Sequence, residues 1–272
     1  MRVSFASTAR PGRDNEDFVV ASTEVAVVLD GAGIPDGLPT GCIHGVPWYV
    51  HQLGTDLHRR ASEQSVSLTD CLANAIRHVS QLHAATCDLH DPMTPTATVA
   101  AVRLREEVLD WLTLSDSTIV IEAEDGLHTV SDHRVTEVTS RQCEAMRVEL
   151  EGLSNAERRR RLAYAQREVM NSADGYWVAA HDPKAAEEAL TGTLPLSGVR
   201  AVALLTDGAA RAVDDFHEMT WPEAMHQLEE DGPQSLIDRT RAMENSDPEA
   251  KRWPRGKRHD DATAVLVLMG SE

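Results

Sequence analysis

A chain of 272 residues can bury a substantial core and suits one large domain or two small ones, a single domain being the simpler expectation. Its 44 Asp and Glu against 26 Lys and Arg leave a formal charge of −18, which argues against nonspecific binding to nucleic acid or to an anionic membrane, where a basic surface is needed. Cys42, Cys71, Cys87 and Cys143 are scattered without a CxxC pair, so neither a disulfide framework nor a zinc ribbon is indicated and a reducing cytoplasm is the simplest compartment.

No apolar stretch follows Met1-Arg2-Val3-Ser4-Phe5, and no run approaches the ~20 residues of a membrane span, so a soluble protein is expected. In chain order, residues 2 to 9 alternate weakly as an edge strand. Phe18 to Ser22 and Val25 to Leu29 then form a hairpin, since few residues separate them. Ile34 to Cys42, rich in Gly and Pro, reads as a loop. Trp48, Tyr49, Leu53 and Leu57 mark a helix. A second helix starts at the cap-like Ser67-Leu68-Thr69-Asp70 and carries Leu68, Cys71, Leu72, Ala75, Ile76, Val79 and Leu82 at helical spacing. Thr96 to Leu104, Val108 to Leu114, Thr118 to Ala123 and Leu127 to Val130 suggest an antiparallel meander, with Glu124-Asp125-Gly126 as a tight turn. Residues 140 to 192 break the rhythm with charged helical sequence, including Arg158 to Arg161, which reads as a solvated helix face. Strand Val199 to Leu205, helices around Pro222 to Glu229 and Ser235 to Met243, and strand Thr263 to Met269 complete an α+β layered domain.

Acids recur where these strands begin or end. Ala26-Val27-Val28-Leu29 runs into Asp30-Gly31, where the glycine is expected to let the chain turn sharply, and Val202 to Thr206 runs into Asp207-Gly208. Val108 to Leu114 is followed by Ser115-Asp116-Ser117, Asn15-Glu16-Asp17 introduces one strand and His259-Asp260-Asp261 another. A single Asp-Gly is an ordinary turn dipeptide. Gathered together, however, such carboxylates repel and raise each other's pKa unless a cation holds them. An oxygen-only donor set points to a hard cation such as Mg2+ or Mn2+.

The series Asn15-Glu16-Asp17, Asp30-Gly31, Thr94-Pro95-Thr96-Ala97, Ser115-Asp116-Ser117, Thr206-Asp207-Gly208 and Asp260-Asp261-Ala262-Thr263 resembles the motif series of the metal-dependent serine/threonine phosphatases of the protein phosphatase 2C family, in a divergent bacterial-type form. The resemblance implies a four-layer αββα sandwich of two antiparallel β-sheets flanked by helices, as one domain over residues 1–272 with a variable flap at about 140–192. It implies hydrolysis of phosphoserine and phosphothreonine in proteins, or of a small phosphoester, by a hydroxide bridging two Mn2+ or Mg2+ ions. By the family pattern Asp30 bridges both ions, and Asp30 and Arg13 are the catalytic pair. Gly31 offers its carbonyl, Asp207 and Asp260 complete one metal and Glu16 serves the other. Asp116 holds a third, weaker metal, with Asp17 a less central participant. Arg13 grips the phosphate, standing one residue closer to the Glu-Asp pair than the usual spacing, while Arg10 lies farther off.

The periphery departs from the pattern. Ala32 stands where eukaryotic members carry a His, Thr118 where an Arg often follows the Asp-Ser motif, and Ala209-Ala210-Arg211 where an acid often follows the second Asp-Gly. These departures leave a catalytically weak or inactive binding or regulatory module as the alternative. An aspartyl-phosphate mechanism of the haloacid dehalogenase type is disfavoured, because Asp30-Gly31-Ala32 lacks the second Asp it requires. His44, beside the first loop, and His259 read as surface or hydrogen-bonding residues rather than catalysts, and Trp48 and Tyr49 as packing. Substrate identity, oligomeric state and pathway leave no trace in the sequence.

Overall fold

The computed structural model describes residues 1–32, 38 and 40–270. Among these, Val-, Ala- and Leu-rich runs form β1 (Arg2–Thr8), β2 (Asp17–Ala21), β3 (Val25–Ala32), β4 (Thr96–Arg105), β5 (Val108–Leu114), β6 (Thr118–Ala123), β7 (Gly126–Val130), β8 (Leu190–Pro195), β9 (Val199–Leu205) and β10 (Ala262–Leu268). Helices α1 (Val46–Ala61) and α2 (Leu68–His83) follow β3. The pair α3 (Arg134–Ala145) and α4 (Asn155–Glu168) follows β7, and α5 (Asp207–Asp214), α6 (Trp221–Asp231) and α7 (Pro233–Ser246) follow β9. No helix among the described residues is long and apolar enough to cross a membrane.

The strands pair antiparallel into two five-stranded sheets, ordered β1-β10-β9-β6-β7 and β2-β3-β4-β5-β8. Their inner faces meet through Val28, Val102, Ile119, Val202 and Val265. Helices α1 and α2 close the outer face of the second sheet through Tyr49, Leu53, Leu72 and Ile76. The face of the first is closed by α5, α6 and α7 through Ala212, Leu228 and Leu236. The expected αββα sandwich is therefore the fold, and its central strands are covered on both faces. That is why Val25 to Leu29 reads as a continuous apolar run rather than an alternation.

The second helix begins as its sequence predicts, with the Ser67 hydroxyl accepting from the Asp70 backbone N–H at 3.0 Å. Four features differ from the sequence reading. The stretch from 96 to 130 is not one meander: β4 and β5 pair in one sheet, β6 and β7 in the other, and Ser115-Asp116-Ser117 carries the chain between them. Period-2 patterning specifies pairing within each hairpin but not the sheet to which a hairpin belongs. Second, β8 closes the sheet beside β5 from the end of the charged insert, where its half-exposed edge lacks a continuous apolar run. Third, α5 starts directly at Asp207. Fourth, β3 does not end at Asp30 but continues through Gly31 to Ala32. Most of the expected Ile34 to Cys42 loop lies outside the described residues.

The two Asp-Gly glycines are demanded by close approach rather than by turning. A Cβ on Gly31 would stand 2.4 Å from the Glu16 carbonyl oxygen, and one on Gly208 would stand 1.9 Å from the Asp261 carbonyl oxygen. Backbone cannot yield as a side-chain tip can. Gly208→Ala is expected to cost about 3 kcal/mol or more, near the upper end for overpacking, in urea unfolding. Gly198→Ala, where nothing lies within 4 Å, serves as the near-neutral control.

Candidate metal centre

The antiparallel register places Asp30 of β3 opposite Asp17 of β2 and Thr98 of β4, so two acids face across one hairpin. Asp207 enters from the first turn of α5, Asp260 and Asp261 from the run into β10, and Asp116 from the crossover between sheets. A pocket of 340 Å³ at this end of the sandwich is lined by Asp30, Gly31, Asp116, Asp207 and Asp260 among others. Acids far apart in sequence thus share one cavity.

Asp17 lies beneath them. Its Oδ2 accepts from the Thr206 hydroxyl at 2.9 Å and the Thr263 hydroxyl at 2.7 Å, tying β2 to the β9–α5 junction and to β10 of the other sheet. Its Oδ1 is buried without a hydrogen-bond partner among the described residues, and so is Asp207 Oδ1. Burial pushes Asp17 well above the usual carboxylate range, the Asp261 and Asp207 charges add to it, and the two threonine hydroxyls only oppose it. Asp30 is also held well above that range, by burial first and then by Asp207, Asp17, Asp260 and Asp116. The Asp116 carboxyl is pushed up to about 7 by burial and the Asp207 charge. Glu16 is raised by burial, with Arg10 and Lys257 opposing. This is the electrostatic signature of a concentrated negative site.

Asp260 is the exception. Burial drives its pKa up, but Lys257 and Arg211 outweigh it and hold the carboxyl below the ordinary range. Lys257 Nζ donates to Asp260 Oδ1 at 2.9 Å and Arg211 Nη2 to Oδ2 at 2.9 Å. Arg211 is anchored in turn by the fully buried Glu244 of α7 at 2.7 Å, and Glu244 also accepts from Arg241 at 2.7 Å. The Arg211 that departs from the motif series is therefore a brace for Asp260. In the motif series Arg211 stands only as a missing acid, and no motif spacing marks Lys257 or Glu244.

The basic residues near the N-terminus divide. Arg10 donates from its backbone N–H to Asp261 Oδ1 at 2.8 Å and from Nη2 to Glu16 Oε2 at 2.9 Å. Arg13 is exposed and lines an adjoining hollow with Arg10, Glu16 and Val46. The insert contributes a residue that no motif marks. Arg167 of α4 lines the acid pocket, donating to the carbonyls of Thr94 at 3.3 Å and Ala32 at 3.4 Å, and burial lowers its pKa. Among the described residues no carboxylate hydrogen-bonds to it. The rest of α4 buries nothing fully, so the arginine run is the solvated face that its composition predicts.

His259 is surface-facing, against the Asn245 amide oxygen at 2.9 Å. Tyr49 is buried and donates to the Ala180 carbonyl at 2.9 Å. The donors around the pocket fit a hard divalent cation: they are oxygens, two are buried without partners, and their mutual repulsion calls for positive charge.

The family model for protein phosphatase 2C matches residues 6–239. No curated protein sequence matches the chain. Among solved structures, the serine/threonine phosphatase PstP/Ppp of Mycobacterium tuberculosis superposes with a TM-score of 0.62 at 16% identity, over 99% of each chain. PppA of Pseudomonas aeruginosa gives 0.56 at 15% identity, over 97% of this chain and 96% of its own. A catalytic domain of PstP solved in complex with two manganese ions gives 0.56 at 14% identity, over 97% and 96%. At these identities the structures speak for the fold, and the family model for membership.

Proposed function

Because the chain belongs to the protein phosphatase 2C family, we propose that it is a divalent-cation-dependent phosphomonoester hydrolase acting on phosphoserine or phosphothreonine in proteins. The observation that carries this reading is the convergence of Asp30, Asp116, Asp207 and Asp260 on one pocket, with buried carboxylate oxygens on Asp17 and Asp207 awaiting a partner. Asp30 would hold two Mn2+ or Mg2+ ions in common, with the Gly31 carbonyl, Asp207 and Asp260 on one, Glu16 on the other and Asp116 on a third, weaker one. Bound there, such ions supply a water acidified to neutral pH and offset the charge on the phosphoryl oxygens.

The chain's own residues do the rest. Arg211 and Lys257 orient the Asp260 carboxylate, Arg10 orients Glu16, and the threonines of β10 and the β9–α5 junction fix Asp17. Arg13 would grip substrate phosphate from the adjoining hollow through its planar fork. Arg167 would approach from the insert, which supports reading residues 140–192 as a substrate-selecting flap. Replacing Arg167 by Ala removes a charged donor worth about 1.5–3 kcal/mol, so kcat/KM for a phosphothreonine peptide is expected to fall roughly 10- to 100-fold, with partial recovery in Arg167→Lys. Unchanged kcat/KM in the Ala variant would remove Arg167 from the substrate path.

One observation favours the binding-module alternative: Asp260 is already paired with two cationic side chains, so a metal ion gains less there than at an unpaired acid. The test is hydrolysis of p-nitrophenyl phosphate and a phosphothreonine peptide with and without Mn2+, with Asp207→Asn as control. Mn2+-dependent turnover lost in that variant supports the hydrolase. Calorimetric Mn2+ binding without turnover supports the module.

A further inference from the structure

Away from the acid pocket, four side chains of a different chemistry converge. Cys42 and His44 precede α1, and His83 and Cys87 lie at and just beyond the C-terminal end of α2. Their ligand atoms all fall within 4.8 Å of one another. Cys42 Sγ is 3.5 Å from Cys87 Sγ, 3.5 Å from His83 Nδ1 and 3.7 Å from His44 Nδ1, and Cys87 Sγ is 3.4 Å from His44 Nδ1.

Those separations decide between two readings. A disulfide requires the sulfurs at about 2.05 Å, and both cysteines are free thiols. A tetrahedral ion with bonds of about 2.3 Å to sulfur and about 2.05 Å to nitrogen sets the edges of its ligand cage at roughly 3.8 Å between sulfurs and roughly 3.6 Å between sulfur and nitrogen. Four of the six edges match that cage to within a few tenths of an ångström, and the other two are no longer than 4.8 Å. We propose that Cys42, His44, His83 and Cys87 form a structural zinc site.

The surroundings are built for it. The two ligand segments are joined by a backbone hydrogen bond from the Asp88 N–H to the Gly41 carbonyl at 2.8 Å, and a Cβ on Gly41 would stand 2.4 Å from the Asp88 carbonyl oxygen. Cys42 and His83 are buried, and the Trp48 ring stacks on His44 at 4.2 Å between centroids, covering one side of the cluster. Two thiolates and two imidazoles select zinc over the Mg2+ or Mn2+ that the carboxylate pocket favours. Four protein ligands fill a tetrahedron and leave no position for substrate, so the ion staples the segment leading into α1 to the end of α2. On binding, each thiol releases its proton and two sulfur–zinc bonds form. The CxH and HxxxC spacings hold the ligands in pairs, and the absence of a CxxC pair does not exclude such a site.

The experiment is metal analysis of protein purified under reducing conditions without chelator from zinc-supplemented medium, followed by replacement with Co2+ as an optical probe. One zinc per chain is expected, with thiolate-to-cobalt charge-transfer bands and the intense visible absorption of a tetrahedral ion. Cys87→Ser should lose the bound zinc, Cys87→His should retain it with weaker charge transfer, and Cys143→Ser and Asp207→Asn should retain it unchanged. Retention in Asp207→Asn separates this site from the carboxylate pocket. If Cys87→Ser does not fold, stoichiometric zinc release on thiol modification of the wild-type protein replaces it. Zinc-free protein with titratable thiols and no cobalt charge transfer, or recovery of a Cys42–Cys87 disulfide in place of metal, would overturn the proposal.

Discussion

Asp30→Asn is expected to lower divalent-cation-dependent hydrolysis by at least roughly 100-fold while raising the thermal stability of the cation-free protein. The two effects share one cause. Asp30 sits among Asp17, Asp116, Asp207 and Asp260, whose charges and the surrounding burial hold its carboxyl well above the usual range. An amide of nearly the same shape removes a charge from that repulsive group, so the empty site relaxes, but it can no longer offer two anionic oxygens to a cation. Initial rates across a Mn2+ titration and thermal melts in chelator check the two halves. Unchanged turnover would remove the acid pocket from the chemistry.

The same residues set a pH dependence for the cation-free wild-type protein. Asp17, Asp30 and Asp116 have folded pKa values raised above those of the unfolded chain, Asp116 to about 7. The folded state therefore binds more protons than the unfolded one between the ordinary carboxylate range and about pH 7. Stability should fall as pH rises through that window, by roughly 1.4 kcal/mol for each unit of raised pKa. The melting temperature of the wild type relative to that of Asp30→Asn, both in chelator, should thus be higher at pH 5 than at pH 8, a comparison that cancels the opposite slope from His58, His83, His181 and His259, whose pKa values burial lowers, and saturating Mn2+ should reverse the order by favouring the ionised acids.

Much of this site is legible in the sequence because strand tips are where a sandwich collects polar residues. An apolar run closing on Asp-Gly is readable, and the glycine is doubly informative, since Gly31 and Gly208 each pack against backbone that a Cβ would strike. What escapes is everything that depends on which elements become neighbours. Arg211 and Glu244 are separated by 33 residues and meet only because α5 packs against α7. Arg167 reaches the pocket from a helix whose composition announces only solvent. The Cys and His pairs lie about forty residues apart, each unremarkable until α2 folds back beside the start of α1. The β5–β6 crossover is hidden for a related reason, since both hairpins carry the same alternation and only three-dimensional packing assigns them to different sheets.

The second large effect concerns stability alone, at Arg103. Arg103 of β4 and Asp110 of β5 are cross-strand partners, both buried, with Nη2 donating to Asp110 Oδ2 at 2.8 Å. Arg103 Nη1 also donates to the Val66 carbonyl at 2.8 Å, joining the sheet to the segment between α1 and α2. Asp110 accepts from the Thr193 hydroxyl of β8 at 2.9 Å and from the half-exposed Arg105 at 3.2 Å. Burial alone would raise the Asp110 pKa, but Arg103, Thr193 and Arg105 together hold it below the ordinary range. Arg103→Met leaves a buried carboxylate with only Thr193 and Arg105, and it strands a backbone carbonyl. A loss of about 3–5 kcal/mol at pH 7 is expected in urea unfolding. Because the folded pKa is depressed, the pair's contribution is present above the ordinary carboxylate range and disappears as pH falls through the folded value, so the cost should shrink in acid. Arg103→Met combined with Asp110→Leu should recover much of the loss, because an apolar pair avoids the unpaired charge. A double variant as unstable as the sum of its parts would show instead that the hydrogen bonds to the segment between α1 and α2 and to β8, rather than the ion pair, hold this edge of the sandwich.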